Sequence, residues 1–579
     1  MKYITEGSNN ITLDIDVADS KSIVGKLAAC DNEIFTGWGD HGGLLDNIHI
    51  AETIDEIANK AIGFIFKDPE TSLVVMSGCG TSGRLAFMAA RSFNEKLRGA
   101  GITDCFRYII AGKDKALFTS QEAYEDDPHH GIDALKEICA GKQNVLYIGI
   151  TCGLSAPFVA GQLDYCMDNP NRFIPVLMGF NPIEMARDIP IRNWDKTFLD
   201  VARRLETLSK AGDGYILNPV VGPEPISGSS RMKSGTTTKI LLETIFAQCF
   251  SKLILKQKCS SKSVLNCYET IRKATYKQSE KIGSIVAMSG EGLKHGGHIY
   301  YLGMGSLGIV GMIDASECPP TFGATLDDIR GFINNGFEAF GNEEGDITHM
   351  GRHFRISFRN FEQDISPNLS NKDTVIVLQT QDNQVPNLKT GNAKTILINY
   401  KDYTKPNNTQ VSQPHDWPKA SITLNMDLPW DECEELIGAD LLSMCWMSLV
   451  EISSKWICNA ISTGAHIMIG KIYQNIMIDV KVSNQKLYHR AISIIQKLVG
   501  SSETEAENAL ICSVFKCDDP SARLRDTTVE ERIAIATPMD RVVPVALLKA
   551  ALKCSIQDAE KLLDDNPVVR TAIENCLMK

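Results

Sequence analysis

Apolar residues come in short, nearly continuous runs through the first third of the chain. These are SLVVMSG from Ser72, FRYIIAG from Phe106, NVLYIGIT from Asn144 and RFIPVLMGFN from Arg172. After the first run, Leu85, Met88, Ala89, Phe93 and Leu97 recur at helical spacing and mark one buried face. Strands apolar on both sides, joined by helices apolar on one, predict a parallel sheet covered on both faces. The scheme then repeats. HIYYLGMGSLGIVGMI from His298 aligns with LVVMSGCGTSGRLAFM at an offset of 225, so Gly78, Gly80 and Gly83 fall on Gly303, Gly305 and Gly308. Further strands are predicted at TVIVLQT (from Thr374), KTILINY (from Lys394) and ASITLNM (from Ala420). The polar, Pro-containing loop TKPNNTQVSQPHDWP lies between the last two. Beyond about Trp446 the pattern is helical throughout. The expected architecture is α/β: an N-terminal segment (1–48) packed on the core, two lobes (49–283 and 284–445) and a helical cap (446–579).

Composition narrows the function. The 579 residues exceed one core, and 43% hydrophobic with 22% charged residues is ordinary for a globular chain. A net charge of -12 argues against a nucleic-acid or acidic-membrane binder, which needs clustered Lys and Arg. A small anionic ligand is still allowed, because one pocket's field can oppose the overall sign. The opening MKYITEGSNN lacks the apolar core of a signal peptide, and the longest apolar run, from Ile299, is short and broken by glycine, so no membrane span is expected. Seventeen cysteines, an odd number without paired metal-type spacing, read as reduced buried thiols, and no metal site is expected.

The turn SGCGTSGR carries the first chemistry. Its G-x-G-x-x-G spacing allows three readings: a dinucleotide site, a ligand-free structural turn, or a cradle for a sugar phosphate. A dinucleotide site needs an acidic residue about 20 positions on, at the end of the second strand. Here that strand ends in Lys113-Asp114, too far along and beside a cation. A phosphate cradle fits better, since a helix opens at Gly80 and Thr81 and Ser82 add hydroxyls to its free N–H groups. A second hydroxyl-bearing turn, TCGLSAP from Thr151, follows the third strand. The duplicated lobe keeps the glycines but has Leu307 for Ser82 and Ile309 for Arg84, and TQDNQVP aligns with TCGLSAP without its Ser. Lobe one is therefore expected to hold the ligand and lobe two to have lost its cradle.

The motifs SGCGTSGR, GLSAPFVAGQ and GPEPISGSSRMKSG resemble the sugar isomerase (SIS) domain. The branch they resemble contains N-acetylmuramic acid 6-phosphate etherase and the glucokinase regulatory proteins. ITEGSN, DASECPPTFG and STGAHIMIGKIYQNIMIDV are similar to the etherase. Two SIS lobes in one chain, with LAACDNEIF, AGQLDYCMDN and GFNPIEMARD, resemble the regulatory family over nearly the whole length. The resemblance implies two flavodoxin-like SIS domains in tandem plus an all-helical C-terminal cap. It implies a sensor without a cofactor that binds and inhibits glucokinase or hexokinase, favoured by fructose 6-phosphate and relieved by fructose 1-phosphate. It further implies a monomer, its lobes standing where the etherase has two subunits, with cytoplasmic or nuclear residence.

Carried over residue by residue, the resemblance places the phosphate on Thr81, Ser82, Thr151 and Ser155, with backbone groups around Cys152 and Gly153. Glu125 would hold sugar hydroxyls from lobe one, Glu317 would reach in from lobe two, and Lys486 would close over the ligand from the cap. Each has a plainer reading. EAYEDD, which holds Glu125 and Asp126, reads equally as a solvated acidic face, and Lys486 as a surface lysine. Lys471 competes as the cap cation. Ser229, Ser230, Arg231 and Glu224 either border the pocket or organise the next helix. In the etherase two acidic positions do general acid–base work, and their counterparts here are Glu317 and Glu125 or Asp126. Lyase chemistry is the alternative function.

Overall fold

The computed structural model describes residues 3–403, 420–482 and 485–577. The polar loop expected between the last two strands and the side chain of Lys486 lie outside the described residues. Lobe one is a parallel sheet of β1 (Ser72–Gly78), β2 (Phe106–Ile110), β3 (Asn144–Ile150), β4 (Phe173–Met178) and β5 (Tyr215–Leu217). Lobe two repeats it with β6 (Ile299–Gly303), β7 (Ile329–Ile333), β8 (Thr374–Thr380), β9 (Lys394–Tyr400) and β10 (Ile422–Met426). The spatial orders, β2-β1-β3-β4-β5 and β7-β6-β8-β9-β10, are one topology drawn twice. In each lobe the order reverses between the first and third strands, where ligands bind in open α/β sheets.

Side chains alternate along each strand, and the two faces enter different cores. Val74 and Met76 of β1 face inward, as do Tyr301 of β6 and Ile376 of β8. They join one continuous core with Ile23, Leu27 and Phe35 of the N-terminal helix Ser20–Thr36 and with Trp456 of the long helix Ala439–Met468. Val75, Tyr147 and Leu177 face outward under separate helices, and in lobe two Tyr300 and Val377 face outward under Phe358 and Phe361 of a short helical segment and Val385 and Leu388 of a loop. A shared inner core holds the lobes as one body, since each buried side chain of this size contributes about 1.5–3 kcal/mol. The cap has its own core, built around Tyr488, Leu510 and Val543.

Several expected features are corrected. The boundary at residue 446 falls inside Ala439–Met468, which belongs to the lobes, and residue 283 falls inside the helix Ser279–Lys294. The cap core begins at Ile478. The region past 446 is not wholly helical, because a two-stranded ribbon (Ile472–Tyr473 with Ile476–Met477) precedes the cap. β5 lies outside the runs that predict strands, its three residues being too few to show a period. Among the described residues no helix is long and apolar enough to cross a membrane. Eleven of the seventeen cysteines are buried, and all are free thiols.

The N-terminal segment ties lobe one to the cap. Asn475, in the ribbon turn, donates from Nδ2 to the Asn9 carbonyl (2.8 Å) and Thr12 Oγ1 (2.9 Å). Arg570 of the cap reaches Asp16 at 3.3 Å.

Candidate functional site

The turn after β1 owes its shape to its glycines. Gly80 takes φ +47°, which side chains resist, and starts the helix Gly80–Gly99. A Cβ on Gly83 would stand 2.5 Å from Ile110 Cγ1 and 2.7 Å from the Gly78 carbonyl oxygen. With the backbone so tightly turned, Thr81 and Ser82 sit in the first helical turn, where the helix dipole favours an anion. Ser82 is buried, and its Oγ lies 3.7 Å from Cys152 Sγ, so the turns after β1 and β3 meet side by side. Burial pushes the Cys152 thiol up to about 12 and keeps it neutral.

Thr151 has a structural task in addition to the ligand contact expected of it. Its Oγ1 accepts from the backbone N–H groups of Ser155 (3.2 Å) and Ala156 (3.4 Å) and holds the β3 turn in shape. Leu154, at φ +53°, and Gly153 complete that turn. Asn181, three residues past β4, donates to the Gly153 carbonyl at 3.2 Å and to Thr5 Oγ1 at 3.0 Å. Thr5 thereby brings the N-terminal segment to the edge of the cradle. Beside Ser155 and Asp126 a groove of about 630 Å³ opens, with Arg187 and Arg192 in its wall.

Two carboxylates face this turn from opposite lobes. Glu125 Oε1 stands 3.8 Å from the position a Cβ would take on Gly80. Glu317 arrives from the lobe-two helix Gly305–Phe322, fully buried, and accepts from Arg84 Nη1 at 3.5 Å. Burial pulls the Arg84 guanidinium down, while Glu317 and then Glu125 oppose that shift. Thr81 and Glu317 line a cavity of about 20 Å³, room for one water, together with Lys455, Arg231 and Asp314. Thr81, Ser82, Glu125, Cys152, Gly153, Ser155 and Glu317 are thus gathered at the lobe-one switch point.

The uncertain candidates separate cleanly. Glu224 is structural: its carboxylate accepts from the N–H groups of Lys233 (2.8 Å) and Ser234 (2.9 Å) and caps the helix Lys233–Leu253. Arg231 is a buried cross-brace between lobes, donating to Asp314 (2.9 Å), Ser462 (3.1 Å) and Thr463 (2.6 Å). Ser230 lies beside Cys152 and so borders the cradle, while the Ser229 hydroxyl is buried without a hydrogen-bond partner. Lys471 is engaged by Asp479.

Lys455 was missed. It sits in the middle of Ala439–Met468, buried, donating to the Arg231 carbonyl (2.7 Å), Asn459 Oδ1 (2.7 Å) and Thr236 Oγ1 (3.2 Å). Burial lowers its pKa to about 8 against the opposing pull of Glu317 and Asp31. A signal for it exists in the sequence. Glu451, Lys455, Asn459 and Ser462 recur at helical spacing along Ala439–Met468, a polar stripe that a buried helix carries only where polar partners meet it.

Residues 56–167 match the family described as the glucokinase regulatory protein N-terminal SIS domain, and residues 276–399 its second SIS domain. Residues 474–573 match the C-terminal lid domain of the same protein. Glucokinase regulatory protein of Xenopus laevis is 40% identical over 99% of this chain and 93% of its own, and that of Homo sapiens 36% identical over 99% and 92%. N-acetylmuramic acid 6-phosphate etherase 1 of Bacillus licheniformis is 34% identical over 42% of this chain and 73% of its own. With two like-folded lobes, a lid and full-length similarity, the chain belongs to the glucokinase regulatory protein family.

Proposed function

We propose that the protein is a fructose-phosphate sensor that binds and inhibits glucokinase or a related hexokinase. Fructose 6-phosphate favours the inhibitory form, and fructose 1-phosphate relieves it. The observation that carries this reading is a single asymmetric site. Hydroxyl-bearing turns of lobe one meet Glu317 of lobe two over a fixed glycine frame, and the equivalent turn of lobe two lacks its serine. The phosphate rests on Thr81, Ser82 and Ser155, and Glu125 and Glu317 take sugar hydroxyls. Moving the phosphate along the sugar changes which hydroxyls meet those carboxylates. A ligand shifts a conformational equilibrium only through such differential affinity. The test is glucokinase inhibition by the full chain with each fructose phosphate. Inhibition strengthened by one and released by the other is expected, and no inhibition under any condition removes the regulatory reading.

A second reading rests on the pair of carboxylates facing one turn, the arrangement acid–base chemistry requires. Lactate release from N-acetylmuramic acid 6-phosphate, abolished by Glu317→Gln, would establish it.

A further inference from the structure

Lobe two holds a cavity of about 520 Å³ at its own strand ends, which neither reading above uses. Its wall includes Ser306 after β6, Thr380 at the end of β8, Ser92 and Lys96 from the lobe-one helix, and Ser443 and Glu451 from Ala439–Met468. The position is the counterpart of the lobe-one site. The 225-residue offset that superimposes the glycines pairs Ser92 with Glu317, so each site receives one side chain from the other lobe's first helix. Strand register pairs Gly78 with Ile150 and Gly303 with Leu378, which sets Thr380 in the place of Cys152. Both sites therefore lie at topological switch points, and this cavity falls in the range of roughly 300–1,000 Å³ typical of small-molecule pockets.

Its chemistry is different from that of lobe one. Leu307 fills the place of Ser82, and the Gly305 N–H is already donated to Asn334 Oδ1 at 2.9 Å. The turn after β8 carries Asp382, whose N–H bonds the carboxylate of Asp402 at 2.8 Å. Glu451 is buried against Lys239 Nζ at 2.7 Å. Burial alone would raise its pKa, but Lys239, then Lys96 and the Ser306 hydroxyl, outweigh that and keep it ionised. The wall sets Glu95 and Glu451 beside Arg91 and Lys96, so its charges balance, and a phosphate dianion would meet two carboxylates without a net positive field or a counterpart of Ser82. Hydroxyl groups would not meet that opposition. Glu451 offers acceptor lone pairs, and Lys96, bonded to Ser92 Oγ at 2.8 Å, brings donors. Ser306, Thr380 and Ser443 serve as either, while Met444 and Met447 present apolar surface to a ring or chain of carbons.

We propose that the lobe-two cavity is a second small-molecule site, which takes an unphosphorylated polyhydroxy compound of hexose or hexitol size.

The experiment is titration calorimetry on the full chain with D-fructose, D-glucitol and fructose 6-phosphate. It compares the unaltered protein with Ser306→Phe, Ser92→Leu and Ser82→Leu, each first checked for a cooperative thermal transition. Ser92→Leu fills the cavity from a helix surface where Leu is well tolerated, which covers the event that Ser306→Phe fails to fold. At least one uncharged probe is expected to bind saturably at millimolar concentration, to bind Ser82→Leu unchanged, and to weaken about tenfold or more in the cavity-filling variants. Fructose 6-phosphate should show the reverse pattern. The proposal is overturned if neither uncharged probe binds, or if their binding follows Ser82 and ignores both cavity-filling variants. Loss of fructose 6-phosphate binding in Ser82→Leu alone bears on the lobe-one site and leaves this one standing.

Discussion

The two glycine turns share a backbone and differ in use. Gly80 and Gly305 have φ of +47° and +52°. A Cβ on Gly83 would strike Ile110 and the Gly78 carbonyl, and one on Gly308 would strike Ile333 and the Gly303 carbonyl. These contacts belong to the strand-to-helix corner and would be required with no ligand in view. At Ser82 and Leu307 the corners part company. The lesson is that a glycine fingerprint reports how the chain turns, whereas the residues between the glycines report what the turn holds.

The sharpest way to break this comparison is to give lobe one the residue of lobe two. Ser82→Leu should leave the corner intact yet remove a hydroxyl and put bulk where an anion would sit. Fructose-phosphate affinity, measured by calorimetry, is expected to fall by about a hundredfold or more, the scale of a lost hydrogen bond to a charged group plus overpacking. Unchanged affinity would mean that the ligand lies elsewhere.

A second difference lies in what the long helix supplies to each lobe: Lys455 to lobe one and Glu451 to lobe two. Burial depresses Lys455 from the ordinary 10.5 to about 8. Below pH 8 both folded and unfolded chains carry this proton, and the buried charge weighs against folding. Between pH 8 and 10.5 the unfolded chain binds more protons at this lysine, so its contribution to stability rises with pH. Relative to Lys455→Met, the unaltered protein should gain about 2–3 kcal/mol across that window, read from denaturant unfolding at several pH values. A flat difference would show that Lys455 is not the titrating group.

Much of this was legible in the sequence, for identifiable reasons. Strands buried on both faces leave continuous apolar runs, and β1 to β4 show them. The corner glycines were legible because backbone sterics restrict the choice of residue. What escaped depends on tertiary proximity. Nothing local says that Thr5 and Asn181, 176 positions apart, meet at Gly153. A hydroxyl at a strand end, as at Thr151, can hold a ligand, cap its own turn or do both, and the sequence alone does not show the cap. The alignment of the two β3-type turns was also one residue out: strand register sets Gln379, not Thr380, opposite Thr151.

Alanine at the corners tests whether the shared part is structural. Gly83→Ala and Gly308→Ala should each lose about 1–3 kcal/mol, by similar amounts, because each new methyl meets a β-branched side chain and a carbonyl at under 3 Å. Thermal denaturation without ligand is the measurement. A large loss in lobe one alone would mean that its corner holds strain that lobe two does not share.

The smallest effect is expected at Thr151. Its Oγ1 caps two N–H groups of the following turn. In lobe two Gln379 does the equivalent work, its Oε1 accepting from the Val385 N–H at 3.1 Å. Since a lobe without the serine cradle also caps this turn, the cap is part of the frame. Thr151→Ser keeps the hydroxyl and should change neither stability nor fructose-phosphate affinity measurably. Thr151→Val removes it with little change of shape and should lose about 1 kcal/mol of stability, the usual scale for a lost cap. Affinity should then drop only severalfold, through a looser Gly153–Ser155 turn. A drop as large as that of Ser82→Leu would place the Thr151 hydroxyl on the phosphate itself.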